Sequence, residues 1–176
     1  TIPNAKLHGA SALALRACGG AQASWGFLHD PLACTYNPAR DAAALCKGDT
    51  GEAGVQGAST QGTCLSLKEA QAINKIWYGQ TRDGRAPDPA LDSGRIGRLS
   101  ASQGQLWWGQ TRGTDLTALS GEQAPFPIAS QVVALSLGNP RIAQKGMFTN
   151  ATGNAEDGWK ALKYADLAAA YERGLA

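Results

Sequence analysis

Apolar residues recur at helical spacing in three stretches of the chain. The first opens at Pro3-Asn4 and sets Leu7, Ala10, Ala14 and Cys18 on one face before Gly19-Gly20, which predicts a helix over 5–18. The second opens at Ser66-Leu67-Lys68-Glu69, a capping box in which the Ser66 hydroxyl accepts from the Glu69 amide while the carboxylate reaches back to the Ser66 amide. It launches Ala70, Ile73, Ile76 and Trp77, carries Lys75 where the helix dipole favours a cation, and stops at Gly79, so a helix is predicted over 67–78. In the third, Asp166 reads as the N-cap of a helix over 167–173 that Gly174 ends. Ile128 to Leu137 fits a helix started by Ser130 or a short strand, and the pattern does not choose between them. From Gly20 to Thr63 the prolines at 31 and 38 and the Gly/Ser/Thr-rich run from Gly48 to Gly62 interrupt both periods, which predicts loop held by cross-links rather than packing. Residues 80–105, with Pro87 and Pro89, read as an irregular excursion. The expected fold is mainly α with long irregular loops and few short strands, a single domain over 1–176 whose small core is shared by the three helices.

Composition narrows the function classes. Lys and Arg total 16 against 14 Asp and Glu, and the resulting net charge of +2 excludes a strongly basic polyanion-binding surface, so no nucleic-acid partner is expected. No apolar run approaches the ~20 residues that cross a bilayer, so no membrane span is expected either. The chain opens Thr1-Ile2-Pro3, without Met or a basic and apolar leader, as expected for a processed product or an excised segment. The cysteines stand at 18, 34, 46 and 64 with no CxxC pair and only His8 and His29 as further soft ligands, so neither zinc nor any other cofactor is expected. An even count without metal spacing reads as two disulfides and a secreted or periplasmic location. Three connectivities are allowed. Cys18–Cys34 and Cys46–Cys64 are favoured because each closes a short loop with little apolar content to order it otherwise, worth about 3 kcal/mol per bridge on loop entropy.

Candidate chemistry is sparse. Gly57-Ala58-Ser59-Thr60-Gln61-Gly62 superficially resembles a nucleophile elbow, but Gln61 stands where the elbow needs Gly, and no apolar strand precedes it. No His follows His29, so a triad in the order Ser, acid, His cannot close within these residues. His29 and Asp30 are adjacent and point apart in extended chain. Asp88 with Asp92, and Glu156 with Asp157, lack a surrounding apolar pattern and read as solvated faces. Trp107-Trp108 and Phe126, between two prolines, do not fit a periodic core: neighbouring side chains cannot both face inward, so one of the tryptophans is expected to meet solvent, a ligand or another domain. Arg112 is a candidate to pair with a carboxylate ligand. The phrase Trp77-Tyr78-Gly79-Gln80-Thr81-Arg82 returns thirty residues on as Trp107-Trp108-Gly109-Gln110-Thr111-Arg112; one echo does not make a repeat fold, and it reads as coincidence or local mimicry.

The order Lys6-Leu7, Cys18, Asp30-Pro31, Cys34, Asn37-Pro38, Cys46, Cys64-Leu65-Ser66, Gln71, Tyr78-Gly79, Trp107-Trp108 and Tyr164-Ala165-Asp166-Leu167 resembles the lid domain of the tannase and feruloyl esterase family. The resemblance runs from about Lys6 to Ala176 and is most specific from Arg16 to Pro38 and at Cys64-Leu65-Ser66. It implies a secreted α/β-hydrolase in which the nucleophilic Ser, in a Gly-Cys-Ser-x-Gly-Gly setting, precedes the lid and the acid and His follow it. It also implies Cys18–Cys34 and Cys46–Cys64 as the lid's own disulfides. Where the family carries a calcium loop resembling Cys-Asp-x-x-Asp-Gly-x-x-Asp-Gly, this chain reads from Cys18 to Gly26 without a carboxylate, so no metal is expected. The family's terephthalate half-ester hydrolase carries a carboxylate-binding Arg four residues before a lid Phe; with Phe126 as that Phe, the position holds Glu122, which leaves Arg112 as the substitute.

The resemblance therefore implies the substrate-binding lid of a carboxylic ester hydrolase acting on aromatic acid esters, partnered by a catalytic α/β-hydrolase core and inactive alone. Its expected substrate-binding residues are Trp107, Trp108, Arg112 and Phe126. The alternatives are a stand-alone secreted binding module, in which Trp107, Trp108 and Phe126 stack on an aromatic or glycan ligand, and a purely structural disulfide-stapled domain.

Overall fold

A computed structural model describes residues 1–91, 104–107, 109–110, 112–118, 127–139 and 158–173. Among them the chain is mainly helical, and extended pairing is limited to isolated bridges. Contacts divide it into two compact units: a larger one built from Ile2–Thr81 and Arg85–Ala118, and a smaller one from Thr1, Arg82–Gly84 and Leu119–Ala176.

The larger unit is organised by two helices. Helix α1 (Asn4–Gly19) starts at Pro3, whose carbonyl accepts from the Lys6 and Leu7 amides, and buries Leu7, Ala10, Ser11 and Ala14. Buried Ser11 is not an error in the apolar face, because its hydroxyl donates to the Thr114 carbonyl at 2.9 Å. Helix α2 (Leu67–Tyr78) has the bounds that its capping box and Gly79 dictate: the Glu69 amide donates to Ser66 Oγ at 3.3 Å and the Ser66 amide to Glu69 Oε2 at 2.8 Å. The same carboxylate takes the Lys6 ammonium at 2.7 Å and so ties α1 to the first turn of α2. Burial disfavours the charge on Glu69, but Lys6 and both Ser66 donors outweigh it and hold the pKa below the ordinary carboxylate range.

The disulfides pair Cys18 with Cys34 and Cys46 with Cys64, and no cysteine is free. Residues 20–63 are not uniformly the stapled, unpacked loop expected: the first bridged loop buries Leu28 and Cys34, and in the second, where residues 46–64 are exposed or half-buried, order comes from backbone bonds and from buried residues that flank it. Ala39, Ala44, Leu45 and Leu65 are buried in one cluster with α1 and α2. Backbone bonds cross the second loop repeatedly, with the Cys46 amide donating to Leu65, Leu65 to Ala44, Ser59 to Leu45, Lys47 to Ser59 and Gly57 to Asp49. These pairings are single bridges, so they leave no alternation of the kind that reveals a strand. The core therefore comes from α1, α2 and the 39–65 segment, not from three helices.

In the smaller unit, helix α3 (Pro127–Leu137) settles the choice left open by the pattern, and it ends on Gly138 in the left-handed conformation, with the Asn139 amide returning to the Ala134 carbonyl. Helix α4 (Tyr164–Glu172) begins three residues earlier than expected. Asp166 is not its N-cap: it sits one turn inside, and its carboxylate accepts from the Lys163 amide at 2.8 Å. An acidic residue in a first turn serves the helix dipole equally well at either position, which is why the sequence misplaced the start. Ala134 packs with Val133, Leu137 and Leu162, Arg173 donates to the Ser136 carbonyl at 3.2 Å, and Arg82 pairs with Glu172.

Candidate functional site

The duplicated phrase is where the structure departs most from the sequence reading. Its two copies lie against each other reciprocally. Gly79 backs onto the Trp107 carbonyl and Gly109 onto the Trp77 carbonyl, each so closely that a Cβ on either glycine would overlap backbone. An offset of thirty residues maps Ile76 to Leu106 and Gln80 to Gln110, and the cross-bonds join those equivalents: the Leu106 amide donates to Gln80 and the Gln110 amide to Ile76, both at 2.8 Å. Gln105 adds a side-chain bond to the Tyr78 carbonyl, and Thr81 pairs with Gln105. The echo is a contact, not a coincidence: two identical glycine positions allow two chain segments to approach at backbone distance.

Beside this clasp Tyr78 meets Arg112. Trp107 is half-buried, and Arg112 is buried, only 5% exposed, with its guanidinium 4.2 Å over the Tyr78 ring. The Tyr78 hydroxyl donates to the Tyr36 carbonyl at 2.6 Å and approaches the Cys34 carbonyl at 3.4 Å. Burial pushes the Tyr78 phenol up to about 12, partly offset by Arg112, while burial draws the Arg112 guanidinium below its usual value against the opposing pull of Tyr78. Trp108 and Phe126, expected to share the ligand face, lie outside the described residues, as do Glu122, Asp92, Glu156 and Asp157.

A second arrangement was not singled out by the sequence. The turn after Cys34 carries Tyr36, Asn37, Arg40 and Asp41, and with Asp88, Pro89 and Ala90 it lines an open cleft of about 350 Å3. The Asn37 side chain is fixed on both sides: its Oδ1 accepts from Asn74 Nδ2 at 2.7 Å and from the Ala39 amide at 2.9 Å, and its Nδ2 donates to Glu52 at 3.2 Å. Glu52 also accepts from Gln71 at 3.3 Å and faces Arg40 Nε at 3.5 Å. The Tyr36 hydroxyl donates to Asp41 Oδ2 at 2.7 Å, and burial together with that carboxylate raises the Tyr36 pKa. Asp88, which the sequence read as solvated, borders this cleft. The legible signal was the Asn37-Pro38 turn immediately before Arg40-Asp41, matched by Pro87-Asp88-Pro89.

Trp25 and Phe27 form a further feature that the sequence reading did not select, exposed by 57% and 55%, with ring centroids 5.7 Å apart in the first bridged loop. His29 is exposed, and Asp30 accepts from the Ala33 amide at 3.3 Å. Ser59 is held in the bridged loop, its hydroxyl 3.4 Å from the Gln61 amide. Among the described residues no group of three or more His, Cys, Asp or Glu converges on a point that would hold a metal, and no helix is long and apolar enough to cross a membrane. Compared with known proteins, the chain matches no family model, no curated protein and no solved structure.

Proposed function

We propose that this chain is the substrate-covering lid of a secreted tannase- or feruloyl-esterase-like carboxylic ester hydrolase, which holds the aromatic acyl part of an ester while a Ser-Asp-His triad on the catalytic core does the chemistry. The observation that carries the reading is the order of cysteine, turn and helix-start motifs from Lys6 to Leu167, with Cys64-Leu65-Ser66 joining a bridge directly to the capping box of α2. The half-buried Trp107 supports it: its backbone is held against Gly79 at the clasp, and an indole is a flat surface on which a planar ring can stack. A lid of this kind excludes water and orients the ester; it supplies no proton transfer or nucleophile of its own.

The test is tryptophan fluorescence during titration with methyl ferulate or a free phenolic acid. Quenching at millimolar ligand is expected, because one wall of a pocket gains little from a small ligand. Trp107→Ala should remove the response and keep the helical circular dichroism. An unchanged fluorescence at ligand saturation in solution, or hydrolysis of a nitrophenyl ester that Ser59→Ala abolishes, would overturn the reading.

A further inference from the structure

The cleft between the 35–41 turn and Asp88-Pro89-Ala90 has a composition that selects its ligand. Its volume of about 350 Å3 lies at the lower end of the range for small-molecule sites. Two carboxylates on the cleft are held in place: Asp41 takes the Tyr36 hydroxyl on Oδ2 and the Ala43 amide, at 2.8 Å, on Oδ1, and Asp88 Oδ1 takes the Ala90 amide at 3.0 Å; each carboxylate oxygen can accept more than one hydrogen bond. Arg40 stands 3.5 Å from Glu52 and 3.7 Å from Asp88, beyond the ~2.7–2.9 Å of a charge-assisted hydrogen bond, so its guanidinium retains donor capacity toward a ligand.

One guanidinium beside Asp41, Asp88 and Glu52 leaves the rim net negative, which disfavours an anion. A calcium ion needs about six or more oxygens, and no three carboxylates converge among the described residues. A wholly apolar ligand would strip water from the charges and return no hydrogen bond. We propose that this cleft binds a neutral small molecule bearing vicinal hydroxyl groups, which donate to Asp41 and Asp88 and accept from Arg40, with Tyr36 and Ala90 giving it apolar surface. Such a site is lined by residues other than Trp107 and stands whether or not the lid reading does.

The experiment is an amide chemical-shift titration of the nitrogen-15-labelled chain with methyl glucoside, catechol, calcium chloride and sodium acetate in separate arms. Movement of the Tyr36–Asp41 and Ala90 amides is expected with at least one of the two diols at millimolar concentration. Methyl glucoside acting alone assigns the site to sugar hydroxyls, and catechol acting alone to a phenolic diol. Asp88→Asn and Asp41→Asn should each weaken that response about tenfold, the loss of one hydrogen bond to a charged group, with the rest of the spectrum unchanged. Asp88→Asn decides the matter if Asp41→Asn fails to fold. Trp107→Ala should leave the response intact. No movement with either diol, movement only with calcium or acetate, or full affinity in Asp88→Asn would overturn the proposal.

Discussion

The two disulfide loops have nearly the same length, with bridged cysteines 16 and 18 residues apart, yet they are different kinds of object. The loop from Cys46 to Cys64 is threaded with backbone bonds, and it is flanked by buried Leu45 and Leu65. The loop from Cys18 to Cys34 is made of local turns at Gly20–Trp25 and Pro31–Ala33, and it presents Trp25, Phe27 and Leu32 to solvent. Its anchors include Leu28 and Cys34, both buried, and the Cys34 carbonyl meets Tyr78. Loop entropy alone would rate the two bridges equally. Backbone bonding separates them: where the native loop is ordered by its own hydrogen bonds, the bridge acts on the unfolded state, and where it is not, cutting the bridge also frees the native loop.

The sharpest way to break this comparison is Gly57→Ala. A Cβ there would overlap the Cys46 backbone, which cannot swing aside, so a loss of about 3 kcal/mol or more is expected in urea unfolding. Replacing both Cys46 and Cys64 by Ala should cost about 3 kcal/mol globally. Replacing both Cys18 and Cys34 should cost less, about 1–2 kcal/mol, and should show instead as faster hydrogen exchange confined to residues 19–33. Equal losses with no local exchange would mean that both loops are held alike.

Alkaline titration probes the anchor of the first loop. Tyr78 is raised by burial to about 12, and Tyr36 is raised by burial and then by Asp41, whereas an unfolded tyrosine titrates near ~10. A phenol whose folded pKa is raised contributes its full stabilisation below the unfolded value. Stability should therefore fall as pH climbs from there through the folded value, by about 2–3 kcal/mol for Tyr78 alone, and Tyr78→Phe should flatten the decline. Ser66→Ala removes the cap that follows the second bridge and should cost about 1 kcal/mol. The depressed Glu69 works in the opposite pH direction: its contribution is present above the ordinary carboxylate range and is lost as pH falls through the folded value. Smallest of all, Trp25→Ser in the open loop should change stability by no more than about 0.5 kcal/mol.

Where a signal was local, the sequence alone determined the outcome. The bounds of α2 followed from Ser66, Glu69 and Gly79, because a capping box and a helix stop are satisfied by residues a few positions apart. The helical class, α1 and the cysteine pairing were equally legible, since short loops with little apolar content leave few ways to be closed. What needed the tertiary structure was every arrangement whose partners lie far apart in the chain. Isolated bridges across residues 44–65 carry no period, so a packed segment read as loop. The meaning of Gly79 and Gly109 depends on which carbonyl each faces, which no single copy of the phrase contains. The burial of Arg112 over Tyr78, and the meeting of Asp41 with Asp88 across a cleft, likewise arise only when distant segments are brought together. Local hydrogen bonding is written in neighbouring residues, but close approach and desolvation are properties of the fold.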